Sequence, residues 1–261
     1  MSDWTIGIIG GSGLYAIDAL EDPQWIAVQS PWGDPSDEIL CGTIGHVRVR
    51  FLPRHGRGHR IAPSTLDPRA NIDALKRAGC TDILAVSAVG SLSEDLAPGR
   101  FVTVDQFIDN TKGRPSSFFG DGFVAHVSMA DPVCDRLSRH AAKAVAAAGG
   151  ECTEGATYLA MEGPQFSTRA ESRLYRHWGA EVIGMTGMPE ARLAREAELP
   201  YALLAMVTDY DCWRDETEAV DVGQVLDRMQ NNAQLARKTI EAFCKALPRK
   251  RTPSPIDHAL D

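Results

Sequence analysis

The stretch Tyr201-Ala202-Leu203-Leu204-Ala205-Met206-Val207, running on into Thr208-Asp209-Tyr210-Asp211-Cys212-Trp213, decides how the chain folds. An uninterrupted apolar run of this length reads as a strand buried on both faces, which belongs in a parallel sheet. Carboxylates then follow where the strand ends, and in open α/β sheets that edge is where ligands bind. If the chain stays extended for two more residues, Asp209 and Asp211 point to the same side. Like charges held together raise the pKa of at least one member, which makes a proton donor near neutral pH. A plain structural role fits the same residues, with Asp209 capping the next turn and Asp211 solvated. The rest of the chain has to decide between them.

Outward from this run, other strands end in the same way. Residues 5–9 read as a first strand, closed by Gly10-Gly11-Ser12-Gly13, whose amides and hydroxyl suit an anion. The segment from Gly11 to Ala16 also fits a relaxed dinucleotide fingerprint. That fingerprint needs a helix next, whereas Asp22-Pro23 and Ser30-Pro31-Trp32-Gly33-Asp34-Pro35 are loop chemistry. Residues 46–52 alternate as a strand and lead into Arg54-His55-Gly56-Arg57-Gly58-His59-Arg60. This basic cluster is either a solvated loop or a phosphate site, since Arg offers a fork of donors that matches phosphate oxygens. A short helix is expected over 71–78, a buried strand over 82–88 ended by a turn at Val89-Gly90-Ser91, and a further strand over 101–108.

A Gly- and Ser-rich loop, 110–122, precedes an Ala-rich helix over 132–148. Residues 156–161 are strand-like and lead to Glu162-Gly163-Pro164-Gln165-Phe166-Ser167. Thr168-Arg169-Ala170-Glu171 then fits a capping box, so a helix runs from there to about residue 178. A short strand over 181–185 is followed by Thr186-Gly187-Met188-Pro189-Glu190, which opens a helix with Pro in its first turn; amides near Thr186 suit an anion. From 222 to 244 the apolar residues Val222, Val225, Leu226, Met229, Leu235, Ile240 and Phe243 form one helical face. The basic, Pro-rich tail 248–261 is expected to be disordered.

The alternation predicts an α/β protein with a largely parallel sheet. One domain accounts for the 261 residues, with 44% hydrophobic and 24% charged residues typical of a soluble globular chain. The net charge of -8 argues against coating nucleic acid or an anionic membrane. Six cysteines, at 41, 80, 134, 152, 212 and 244, show neither C-x-x-C nor metal-ligand spacing, so reduced thiols, a cytoplasmic location and no metal are expected. The apolar start is too short for a signal peptide, and no run approaches the roughly 20 residues of a membrane span.

Four segments together, Ile8-Ile9-Gly10-Gly11-Ser12-Gly13-Leu14, Arg54-His55-Gly56-Arg57, Glu162 to Ser167, and Thr208 to Trp213, resemble the trimeric purine nucleoside phosphorylase family. The closest likeness is to the branch acting on 5′-deoxy-5′-methylthioadenosine. The resemblance covers residues 6–247 and implies a single α/β domain, a central mixed, largely parallel sheet flanked by helices, over 1–247. It implies a pentosyl transfer in which phosphate attacks the anomeric carbon of a nucleoside, releasing adenine and 5-methylthioribose 1-phosphate in methionine and purine salvage. Inorganic phosphate is a co-substrate and no cofactor is called for. The matching positions imply that Ser12, Arg54, His55, Ser87, Ala88 and Thr186 hold phosphate. Ala88, Val89, Gly90, Phe166 and Ser167 would line the base site and Met185 would pack under the ribose. Val222, Val225 and Leu226 would face the methylthio group, with His59 and, from a neighbouring subunit of a homotrimer, His126 closing that end.

In this scheme Asp209 protonates or hydrogen-bonds ring nitrogen 7 and Asp211 lies beside it at the exocyclic amino group. The sister enzymes for 6-oxopurines carry Asn at the position of Asp209 and Glu at that of Ser167, so both positions here are of the adenine type. Gly184-Met185-Thr186-Gly187-Met188-Pro189 is worded more like bacterial methylthioinosine phosphorylases, which keeps a 6-oxo substrate open. A non-catalytic nucleoside-binding protein that kept the pocket is the alternative of another class.

Overall fold

The computed structural model describes residues 3–11, 13–14, 16–214 and 222–261, with backbone only over 222–229. Its elements run β1 (Thr5–Gly10), β2 (Glu21–Ile26), β3 (Ile39–Ile44), β4 (Val47–Pro53), α1 (Pro68–Arg77), β5 (Asp82–Ser91), β6 (Phe101–Thr103) and β7 (Gln106–Asn110). Then follow α2 (Asp135–Ala147), β8 (Cys152–Glu154), β9 (Thr157–Met161), α3 (Arg169–His177), β10 (Val182–Gly184), α4 (Gly187–Glu196), β11 (Tyr201–Asp209) and α5 (Val222–Ala246). The strands form one sheet in the order β2-β3-β4-β1-β5-β10-β9-β7, and β11, β6 and β8 extend from the other side of β5. The central pairings of β1 with β4 and β5, and of β5 with β11, are parallel. Antiparallel pairings join β2 to β3, β3 to β4, β5 to β10 and β6 to β11. The mixed, largely parallel sheet expected from the sequence is therefore what the chain builds.

The apolar run 201–207 shows why. Ala202, Leu204 and Met206 pack into a core shared with Leu137 of α2 and Ile240 and Phe243 of α5. Tyr201, Leu203, Ala205 and Val207 pack into the opposite core with Ile72 and Leu75 of α1 and Ala191 and Leu193 of α4. Side chains alternate along a strand, so only a strand covered on both faces buries every residue of such a run. Each fully buried Leu, Ile or Phe contributes about 1.5–3 kcal/mol. The stripe on α5 is core from Ala236 to Cys244, as its periodicity indicates.

Several local expectations are corrected. The chain from Val89 to Ser91 does not turn; β5 continues through it because β10 and β11 supply partners there, Ile183 for Gly90 and Val182 for Ser91 on one edge and Val207 for Val89 on the other. The segment 101–108 breaks into β6 and β7, which pair with different strands, β11 and β9. The supposed loop around Asp22-Pro23 carries β2, an edge strand whose register is irregular between Glu21 and Gln24, a setting in which Pro is tolerated. The tail is ordered and packs against the sheet. Arg251 bridges buried Asp82 at 2.5 Å and Asp257 at 2.6 Å, Ile256 enters the core, and the Trp4 indole donates to the carbonyl of Pro248 at 2.7 Å. A buried carboxylate at the start of β5 gives the basic tail its anchor, a long-range partner invisible to local composition. Among the described residues no helix is long and apolar enough to cross a membrane.

Candidate active site

The carboxyl end of the sheet opens into a cavity of about 520 Å³, within the range of small-ligand sites. Its acidic wall is the end of β11. The β5–β11 ladder is in register up to Val207 opposite Val89, then resumes with Asp209 opposite Gly90, so Thr208 is the extra residue of a bulge. Bulges re-aim side chains. Here the Thr208 hydroxyl lies 3.1 Å from the carbonyl of Val89 and 2.7 Å from Asp209 Oδ2, and Asp209 turns into the cavity. Asp211 also lines it, but not by strand alternation. Its φ of 51° is left-handed, and its own amide donates to Asp209 Oδ1 at 2.7 Å. The two acids thus meet through a tight turn.

Asp211 is braced from α3, where the Ser172 hydroxyl donates to its Oδ2. The capping box expected at Thr168 and Glu171 is present and fixes the start of that helix. Burial pushes the Asp211 carboxyl above the usual range, Asp209 beside it adds to this, and the Ser172 hydrogen bond opposes it. Trp213 locks the following turn, donating to the carbonyl of Ser91 at 2.8 Å beneath the Arg176 guanidinium. Gly90 leaves room for the pair, since a Cβ there would lie 3.1 Å from Asp209 Oδ1 and 3.4 Å from the Asp211 Cβ.

The same cavity is also lined by Ser87, Ala88, Arg54, His55, His59 and Thr186. Two donors expected to face an anion are engaged elsewhere. The Arg54 fork turns to Glu190, with Nε and Nη2 each 3.0 Å from a carboxylate oxygen, and its Nη1 donates to the carbonyl of Val86 at 2.9 Å. Tyr201 donates to the same carboxylate at 2.8 Å. Burial works against the Arg54 charge, but Glu190 outweighs it and the pKa is raised. The amides of Thr186 and Gly187 at the start of α4 donate at 3.3 Å to the hydroxyl of buried Tyr158 rather than to the cavity. The outer residues of the basic cluster are held by acids, Arg57 by Asp37 and Glu38.

Val89, Gly90, Met185 and Phe166 line the remaining walls, Phe166 being 84% exposed at the rim. Gly163, in left-handed backbone with φ 67°, lets Met185 pack directly against the chain. Ser167 is buried behind the wall, its carbonyl accepting from the Cys212 thiol at 3.2 Å. His126 is exposed on the 111–134 segment and does not line this cavity. Ser12 and the side chains of Val222, Val225 and Leu226 lie outside the described residues, although α5 does run past the cavity with Asn232 and Ala233 in its wall.

Sequence reasoning missed four parts of this site. Glu190 was visible only as an acid in a helix first turn, and Tyr158 as one residue of an apolar strand. Asn232 lines the cavity and donates to the carbonyl of Val207 at 3.1 Å, tying α5 to β11. Arg114, from the loop, donates to the carbonyls of Met185 and Glu162 and so clamps two walls together.

A family model described as the phosphorylase superfamily matches residues 5–246. The chain is 57% identical to the S-methyl-5′-thioadenosine phosphorylase of Cereibacter sphaeroides, over 98% of this chain and 89% of that protein. A crystal structure of a methylthioadenosine phosphorylase from an antarctic soil metagenomic library superposes with a TM-score of 0.95 at 48% identity, covering 100% of this chain and 92% of that one. A mutant of the Schistosoma mansoni adenosine/methylthioadenosine phosphorylase in complex with methylthioadenosine superposes with a TM-score of 0.87 at 37% identity, covering 93% and 91%. This chain belongs to the phosphorylase superfamily and, within it, groups with the methylthioadenosine phosphorylases.

Proposed function

We propose that the protein carries out phosphorolysis of 5′-methylthioadenosine to adenine and 5-methylthioribose 1-phosphate, a step of purine and methionine salvage. The observation that carries this reading is that one cavity is lined both by the acid pair Asp209 and Asp211 and by Ser87, Thr186, Arg54 and His55. In the reaction the bond between the anomeric carbon and purine nitrogen 9 breaks, and its electrons pass to the purine. A phosphate oxygen forms the new bond to that carbon. Positive charge grows on the sugar and negative charge on the leaving base. Phosphate beneath the sugar stabilises the first, and a proton delivered to ring nitrogen 7 neutralises the second. The acid pair supplies it, Asp209 at nitrogen 7 and Asp211 at the amino group, the proton belonging to the pair.

Phosphate is held by Ser12, Arg54, His55, Ser87, Ala88 and Thr186, and the base by Ala88, Val89, Gly90 and Phe166, with Ser167 supporting that wall from behind. Arg54 acts mainly as a fixed, partly neutralised cation, because most of its donors serve Glu190 and backbone carbonyls. Val222, Val225 and Leu226 face the methylthio group, with His59 and His126 of the partner subunit closing that end of a cytoplasmic homotrimer. The methylthioadenosine complex of the Schistosoma mansoni relative favours a methylthio nucleoside over the 6-oxo alternative.

Asp209→Asn tests the acid. Turnover of methylthioadenosine should fall by roughly 10²-fold or more, while relative use of 6-oxopurine nucleosides rises. An unchanged rate and substrate ratio would remove Asp209 from the mechanism.

A further inference from the structure

His55 lines the cavity, yet its Nδ1 lies 2.9 Å from the carbonyl oxygen of Ile61. A carbonyl only accepts, so this ring nitrogen carries a hydrogen and points it away from any ligand. Nε2 has no hydrogen-bond partner among the described residues. A second proton on the ring is opposed by burial, by the Arg54 guanidinium and by His59, whose ring stacks on it with centroids 4.5 Å apart, so the pKa is lowered to about 4. At neutral pH the ring therefore offers Nε2 as a lone pair. The neighbouring donors are also depleted, with Arg54 turned to Glu190 and the Thr186 and Gly187 amides turned to Tyr158. This is not a wall made only of donors.

We propose that His55 accepts a hydrogen bond from the bound anion, so that the site selects an oxyanion carrying a proton, such as phosphate or arsenate, over sulfate. The proposal rests on the phosphorolysis reading and names how its co-substrate is recognised. Near neutral pH phosphate keeps at least one P–OH group to donate to Nε2, and its unprotonated oxygens stay free for the other donors and for attack on the sugar. Sulfate has no hydrogen to give, so it would set an oxygen lone pair against the ring lone pair and leave both unsatisfied. A lost hydrogen bond of this kind corresponds to roughly 10- to 100-fold in affinity.

The test is calorimetric titration of the wild-type protein with inorganic phosphate and with sulfate, together with nitrogen-15 resonances of the His55 ring, assigned by their absence in His55→Gln. Phosphate is expected to bind roughly 10- to 100-fold more tightly than sulfate, with the ring in its Nδ1–H form before and after phosphate is added. In His55→Gln, whose amide can donate as well as accept, the preference should shrink toward unity. A histidine with only a structural role would weaken both anions equally in that variant and leave their ratio unchanged, which would overturn the proposal. So would equal binding of the two anions by the wild type, or an imidazolium in the phosphate complex. Binding of neither anion would overturn the phosphorolysis reading together with the proposal.

Discussion

Arg54 and Glu190 meet as a bidentate pair, Nε and Nη2 each 3.0 Å from a carboxylate oxygen, with both residues almost wholly withdrawn from solvent. A pair of this kind is strongly destabilising when broken from one side, because the remaining charge is buried alone. Glu190→Ala is expected to cost about 3–5 kcal/mol, read by urea unfolding. Tyr201→Phe removes a single donor to the same carboxylate and should cost about 1–2 kcal/mol. A Glu190→Ala protein as stable as the wild type would show that the pair is not what holds Arg54.

Asp211 is an acid kept in an environment that favours its protonated form. Its pKa is raised in the folded protein, so its contribution is favourable below the unfolded value and is lost as pH rises through the folded one. Asp211→Asn keeps an acceptor for Ser172 while removing that penalty. We expect a higher melting temperature at neutral pH, together with lower activity. A lower melting temperature at neutral pH would contradict this.

Gly90 separates β5 from the acid pair by the width of one missing methyl group. In Gly90→Ala the new Cβ would stand 3.1 Å from both Asp209 Oδ1 and Ile183 Cγ2, so the carboxylate must move. A loss of roughly 10- to 100-fold in kcat/KM is expected, with little change in the urea midpoint. Wild-type kinetics in this variant would mean that the acids tolerate displacement.

His55 should also leave a mark on stability. Its folded pKa of about 4 lies below its ordinary value of 6.5, so the unfolded chain takes up the proton first as pH falls. The stability is fully present above about pH 6.5 and is lost between that pH and about 4. The loss should be on the order of 1–2 kcal/mol once partial exposure is allowed for, and it should be smaller in His55→Gln. Identical pH profiles for the two proteins would place the titration elsewhere.

How much of this was legible in the sequence depended on distance along the chain. The run 201–207, the capping box at Thr168 and the Ala-rich helix declare themselves through local periodicity and caps, and the structure has them where expected. Most of the predicted site residues converge on one cavity because strand ends in such a sheet share an edge. What the sequence hid were choices made by distant partners. Glu190 lies 136 positions from Arg54, and Asp82 lies 169 from Arg251. Composition made a free fork of the first arginine and a disordered tail of the second. The left-handed turn at Asp211 was hidden too, since no glycine marks it.

If this cavity couples cleavage of the nucleoside to phosphate, neither product forms without the anion. Purified protein is incubated with methylthioadenosine with and without inorganic phosphate, and adenine and 5-methylthioribose 1-phosphate are quantified together. The expected result is adenine only when phosphate is present, in equal amount with the sugar phosphate. Adenine released at the same rate without phosphate, or no adenine under either condition, would contradict it.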